Sequence, residues 1–347
     1  MNQPSELASS PELFPLNANP AADSVQVVPL SEADYAAASF LDRRMMTPAR
    51  LASVRNLPWA TVSAAAMPLR EHAHWIFHIS HVGSTLLSRL LGEHPSLFCL
   101  REPAILRTLA EVLLAIDHPK CVWNRATFAE RLPVFLKLFS RTFRAEQTAV
   151  IKATSFVSEM AEGLLSRDRT ARAVLMYVTP VTFLRSLLDG AMSDIEDQAE
   201  KRLYRLHQRL RVVEWRLGSL SPGERVAMSW LAEMMALQAA ATRVPSGVFW
   251  LDFDRFLANT RAEFHSVLQH FGVSANPTEV EEILGRPILR QYSKKPPHPF
   301  DAATRQQLLA QAESRHGTEV RKGLHWLETA AKKYPKIAAL VQARDQG

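Results

Sequence analysis

Two periods of apolar and polar positions run along this chain. Nearly unbroken apolar runs at Trp75–Ile79, Leu97–Leu100, Ala149–Ala153, Ala173–Val178 and Val248–Phe253 predict short buried strands. Helical spacing follows them over Ser84–Gly92, Ala104–Ala115, Ser155–Leu165, Val181–Ala191 and Thr260–Phe271, the last closed by Gly272. Thr127–Phe143 is amphipathic and predicts a helix kinked or restarted at Pro133. Residues 196–217 and 222–242 predict two longer helices, and the chain from Pro277 reads as helical. Strands alternating with helices predict an α/β fold, a parallel sheet flanked by helices with extra helical decoration. The core spans 74–275 with a helical insertion at about 192–245, and 276–347 is a C-terminal helical extension. Residues 1–30 are rich in Pro, Ser, Asn and Ala without period and predict a disordered or loosely docked arm. Residues 31–73 read as a helical and connecting segment, with Ser31 as a helix N-cap.

The first predicted strand runs through a turn at Gly83 into a helix that opens with Ser84 and Thr85. The first N–H groups of a helix lack partners and sit at the positive end of its dipole, so such a turn suits a phosphate. Ligands of open parallel sheets bind outside the carboxyl ends of the strands, where this loop falls. The nucleotide loop Gly-x-x-x-x-Gly-Lys-Ser/Thr is not met: position 80 is Ser and no lysine precedes Ser84. ATP or GTP hydrolysis is therefore disfavoured.

Composition narrows the setting. Two cysteines, Cys99 and Cys121, exclude a disulfide scaffold and suit a reducing, cytoplasmic compartment. The first 42 residues contain no Lys or Arg, which argues against a secretory leader or a mitochondrial presequence. No long uncharged apolar run predicts a membrane span. The net charge of +6 suits an anionic nucleotide, while the absence of a long basic block argues against nucleic acid. Oligomeric state is left open.

The loop Ser80-His81-Val82-Gly83-Ser84-Thr85-Leu86 resembles that of sulfotransferases that use PAPS (3′-phosphoadenosine 5′-phosphosulfate). His94-Pro95 followed by Glu102 resembles, in spacing, the protein-tyrosine and Golgi-type branch. Lys152, Pro180 with Ser186, and Trp250–Leu257 followed by Phe271-Gly272 extend the resemblance over about 74–275. It implies a P-loop-like, sulfotransferase-type fold and transfer of a sulfuryl group from PAPS to a hydroxyl or amine of a small-molecule acceptor. It assigns Glu102 as base, Lys152 and His81 as charge stabilisers, and Gly83, Ser84, Thr85 and Ser186 as donor-binding residues. No metal enters that scheme.

Two positions depart from the family. His81 replaces the basic loop residue, and Val178 stands where an arginine grips the 3′-phosphate. Arg89, Arg101, Arg185, Lys294 and Lys295 are the candidates to compensate, and Tyr292–Pro297 is a candidate lid. Other readings stay open: a different P-loop small-molecule kinase or transferase, or a non-catalytic nucleotide-binding protein derived from a sulfotransferase. Structural alternatives stand beside each assignment. Glu102 and Arg101 suit a surface ion pair, Gly83–Thr85 a plain loop and cap, and Ser186 an ordinary helix position. His72, His74 and His78 alternate along a strand but lack an acidic or thiol partner for a metal. Asp252 and Asp254 suit helix capping, and Trp215, Trp230 and Trp326 suit the core. Arg321-Lys322-Gly323 resembles an anion-gripping triplet of cytosolic members but falls in a helical context.

Overall fold

The computed structural model of the chain describes residues 3–190, 192–290 and 301–345. A small antiparallel sheet comes first, built from β1 (Leu13–Asn19), β2 (Ser24–Pro29) and β3 (Arg55–Pro58) in the order β1-β2-β3. A five-stranded parallel sheet follows: β4 (Ala73–His78), β5 (Leu97–Arg101), β6 (Thr148–Lys152), β7 (Ala173–Tyr177) and β8 (Val248–Asp252). Its order is β5-β6-β4-β7-β8. Every residue of β4, β5 and β7 is buried, because helices cover both faces of the sheet. The predicted α/β class, a parallel sheet flanked by helices, is therefore the observed one. No described helix is long and apolar enough to cross a membrane.

Register aligns the chemistry. Arg101 pairs with Lys152, Ile76 with Lys152, His78 with Met176, and Tyr177 with Asp252. The carboxyl ends of the strands thus lie level, with β4 between β6 and β7 where the strand order reverses. That reversal opens the crevice in which such sheets bind ligands.

Residues 1–30, expected as a disordered or loosely docked arm, hold regular elements where they are described. Among the described residues, a helix at Gln3–Ser9 precedes the β1-β2 hairpin, and Leu7, Phe14, Val25 and Val27 are buried. Two arginines stitch it down. Arg141 donates to the carbonyls of Leu138, Leu7, Ser10 and Leu13, and Arg101 to those of Tyr35, Ala36 and Ala38. Burial pulls each guanidinium down to about 10, so both stay cationic at neutral pH. The 31–73 segment also holds β3 and a helix at Trp59–Ala66 besides its expected N-terminal helix. Ser31 caps that helix in a reciprocal box with Asp34.

Several boundaries shift. The helix Arg125–Phe139 runs through Pro133 without restarting, and Ser155–Met160 is a 3-10 turn before the helix Ala161–Arg167. Of the helix expected over 196–217, Ala199–Leu210 forms, ending at Arg211 in the left-handed region, and a separate short helix, Met192–Glu196, precedes it. The 32-residue helix Ala302–Lys333 lies across Pro222–Arg243. The backbones touch there: a Cβ on Gly323 would sit 2.6 Å from the Gly223 carbonyl oxygen. The Arg321-Lys322-Gly323 triplet thus serves helix packing, with Lys322 bound to Glu319.

His74 shows what the histidine alternation does. Its Nδ1 accepts the Arg172 N–H (3.2 Å), its Nε2–H faces the Phe271 carbonyl (3.2 Å), and its ring stacks on Phe271 at 5.0 Å. His72 meets Asp168 at 2.7 Å instead. Burial first, then the nearby His72, pulls the His74 ring down to about 4. Above about pH 6.5 the ring is neutral in both folded and unfolded chains. Between 6.5 and 4 only the unfolded chain takes up the proton, so stability falls as pH falls, by up to about 3 kcal/mol. Urea midpoints measured from pH 7 to 4 are expected to drop more steeply for wild type than for His74→Phe.

Candidate functional site

At the carboxyl end of β4 the backbone leaves its ordinary regions. Ser80 (φ 83°), His81 (φ 52°) and Gly83 (φ 67°) are all left-handed. So is Glu102 (φ 53°), just beyond β5. Non-glycine residues enter this region at a cost, and such strain concentrates at functional sites. Two local bonds hold it: the Ser80 N–H donates to His78 Nδ1 (3.0 Å), and the Glu102 N–H donates to the Lys152 carbonyl (2.7 Å).

Gly83 is required twice. Its positive φ suits glycine, and a Cβ there would lie 1.9 Å from Cε2 of the buried Phe253 ring. The helix Ser84–Leu91 starts at this residue, with the Ser84 and Thr85 side chains buried. Gly83→Ala is expected to displace the loop and to lower stability by at least about 1 kcal/mol, read as a fall in the urea midpoint.

Glu102 and Lys152 form an ion pair through Oε1 and Nζ, with the lysine wholly buried and the carboxylate side chain 12% exposed. Arg44 Nη2 lies 3.4 Å from the other carboxylate oxygen, and His78 Nε2 lies 4.0 Å from Oε1. Phe40 covers the group, 5.6 Å from Lys152 Nζ and 3.4 Å from the Arg44 guanidinium carbon. Register explains the pairing. Arg101 opposes Lys152, so the next residue, Glu102, turns back over the end of β6.

A cavity of about 610 Å³ opens on these groups. Its lining brings together His81, Gly83, Ser84, Thr85, Glu102, Lys152 and Ser186, the seven residues that the resemblance assigns. Lys294, a further candidate for donor binding, lies outside the described residues, as do Lys295 and the candidate lid Tyr292–Pro297. His81 Nε2 is 2.9 Å from Asp194 Oδ2. Thr85 Oγ1, Ser186 Oγ, Gln198 Oε1 and Arg305 Nη2 are buried atoms of this lining with no hydrogen-bond partner among the described residues. Buried polar atoms normally find partners, so the two hydroxyls and the Arg305 nitrogen suit acceptor oxygens of a polar ligand, while Gln198 Oε1 suits a donor.

The arginines sort differently from expectation. Arg89 donates to the Ala37 carbonyl and to Ser39, and Arg101 to the carbonyls of 35–38, so both brace the N-terminal segment. Arg185 lines the cavity but pairs with Glu313 at 2.8 Å. Val178 is buried, and its carbonyl accepts the Trp230 indole N–H at 3.0 Å. Residues not anticipated from the sequence are Arg305, Arg44 and Arg202. Arg305 reaches in from the long C-terminal helix, stacks over Phe253 at 4.8 Å and is oriented by Asp254 at 2.6 Å. Asp252 caps the helix Phe253–Ala258, as expected, through the N–H groups of Asp254 and Arg255. Burial pushes the Asp252 carboxyl up.

No protein-family model matches the chain, and no curated protein matches it by sequence. Solved structures resemble it in outline. One is the sulfotransferase domain from the curacin biosynthetic pathway, at 11% identity, covering 72% of this chain and 98% of that one, with a TM-score of 0.43. A second is the sulfotransferase STF9 from Mycobacterium avium, at 13% identity, 72% and 78% coverage and a TM-score of 0.39. A third is mouse SULT7A1 complexed with PAP, at 9% identity, 81% and 93% coverage and a TM-score of 0.41. At these values the likeness is one of outline only, and the chemistry rests on the residues of this chain.

Proposed function

We propose that the chain transfers a sulfuryl group from PAPS to a hydroxyl or amine of a small-molecule acceptor. The observation that carries this reading is the buried Glu102–Lys152 pair beside the Gly83-Ser84-Thr85 turn. The loop N–H groups, Thr85 Oγ1, Ser186 Oγ and Arg305 Nη2 are the donors that would hold the anionic groups of PAPS. Bound there, PAPS supplies an activated sulfuryl group attached to a phosphate leaving group. Such in-line transfers need positioning and charge stabilisation more than covalent chemistry. Glu102 takes the proton from the acceptor, and the carboxylate is oriented for it by Lys152 and Arg44. Lys152 carries its cation into a water-poor crevice, where it acts more strongly on developing negative charge than it would in water. Phe40 covers this end of the crevice.

Calorimetric titration with adenosine 3′,5′-bisphosphate tests the reading, with ATP plus Mg²⁺ alongside. Bisphosphate binding in the micromolar range or tighter, lost in Ser84→Ala with Lys152→Ala, is the expected result. Binding of ATP with Mg²⁺ in place of the bisphosphate would point to a kinase instead, although the loop lacks that chemistry's lysine. A non-catalytic nucleotide-binding protein is the second reading. It is favoured by His81, which faces Asp194, and by Val178, which is buried where the family has an arginine. Bisphosphate binding without transfer to any acceptor would select it.

A further inference from the structure

The cavity at Glu102 continues into a second groove of about 1010 Å³. The two share Asp42, Arg44, Glu102, Arg107 and Thr154. One wall of the groove is the β1-β2-β3 sheet. Register sets Asn17 opposite Gln26 and Gln26 opposite Asn56, one carboxamide on each strand in a single row. The adjacent row, Ala18, Val25 and Leu57, is buried, so strand alternation turns the carboxamides to the other face. A bulge between Pro15 and Asn17 adds Leu16 to the same wall. Hydrocarbon completes the lining through Met46, Leu51 and Val54, with Leu51 60% exposed. Most of the charges are matched, Arg44 with Asp42 and Arg107 with Glu111, which Lys201 also reaches, while Arg43 lines the groove as an exposed cation.

We propose that this groove seats the acceptor, and that the acceptor is a neutral polyhydroxylated molecule with an aliphatic chain, of the alkyl glycoside type. The inference rests on the sulfuryl-transfer reading for the role of Glu102. A carboxamide both donates and accepts, as a hydroxyl does, so a row of three matches a row of hydroxyls. Strands stand about 4.8 Å apart, close to the span of one hexose ring, so each strand offers one contact per ring width. The aliphatic wall accommodates a chain that a free sugar lacks. Glu102, which the nucleophilic hydroxyl must reach, lines both the groove and the first cavity.

The test is binding of hexyl β-D-glucoside to the full chain loaded with adenosine 3′,5′-bisphosphate, followed by calorimetry. Wild type is expected to bind it, and Gln26→Leu and Asn56→Leu are each expected to weaken it at least tenfold. Binding of 1-hexanol should be unchanged in both. Asn56 is exposed, so its variant keeps the fold intact, and retained bisphosphate binding verifies that. Equal glucoside affinity in wild type and both variants would overturn the proposal. So would a preference for an N-acetylated peptide amide over the glucoside. If wild type binds no bisphosphate but binds the glucoside in a Gln26-dependent way, the groove assignment stands and the donor reading fails.

Discussion

Replacing Glu102 by Gln is expected to lower the rate of sulfuryl transfer about 10²–10⁴-fold, the usual range for a general base. Bisphosphate affinity should stay near wild type, because the change leaves the phosphate loop untouched. The substitution preserves shape and one hydrogen bond to Lys152 while removing the group that takes the proton. Lys152→Met is expected to lower the same rate by a comparable factor. It also leaves a carboxylate, 12% exposed, without its buried cation. The two residues touch, so the double variant should lose little more than either single one. Single-turnover measurement of radiolabelled sulfate transfer separates the chemical step from binding. Rates unchanged in both variants would remove Glu102 and Lys152 from the chemistry.

The largest loss of stability is expected on the far side of the cavity, from Glu233→Ala. Glu233 is wholly buried and receives Arg202 Nε at 2.8 Å, Arg205 Nη2 at 2.9 Å and the Ser158 hydroxyl. Burial alone would push its carboxyl up, but the two guanidinium groups outweigh it and hold the group below its ordinary value. Removing one partner of a buried pair strands the other charge, at a cost of about 3–5 kcal/mol. Here two arginines, each no more than 3% exposed, lose the carboxylate they share. Urea unfolding should show this loss, and Glu233→Gln should show a smaller one. Arg202 lines the cavity proposed to hold the donor and reaches Ser155 Oγ at 3.5 Å, so on that reading the damage should also reach bisphosphate affinity.

The sheet was legible because a strand buried on both faces reads as an unbroken apolar run, and all five runs became β4 to β8. Six of the seven described candidates stand at or just beyond strand ends, where a run of one kind stops, while Ser186 lies within the helix Pro180–Leu188; all seven meet in one cavity. The N-terminal sheet was not legible. Pro15, the bulge beside it and a four-residue β3 break the alternation, and Arg141, which binds the carbonyl of Leu13 at the start of β1, lies far along the chain. Arg305 and Arg44 were missed because neither lies near a strand end. Arg305 belongs to a helix whose path across the cavity is set by packing on Pro222–Arg243. Arg89 and Arg101 misled for the opposite reason. Each lies near a site residue in sequence, yet turns its donors toward backbone carbonyls of residues 35–38 and the Ser39 hydroxyl. The left-handed backbone at Ser80, His81 and Glu102 carries no compositional mark, unlike Gly83.

The stitching of residues 7–38 by Arg101 and Arg141 has a consequence for how the chain is born. A ribosome releases the β1-β2 hairpin long before it reaches either arginine. Until then the carbonyls of Leu7, Ser10, Leu13 and Tyr35 lack their guanidinium donors, and the hairpin has only β3 and the helix Trp59–Ala66 to pack on. The amino-terminal segment, although made first, therefore completes its structure late, after β5 and the end of helix Arg125–Phe139 have emerged.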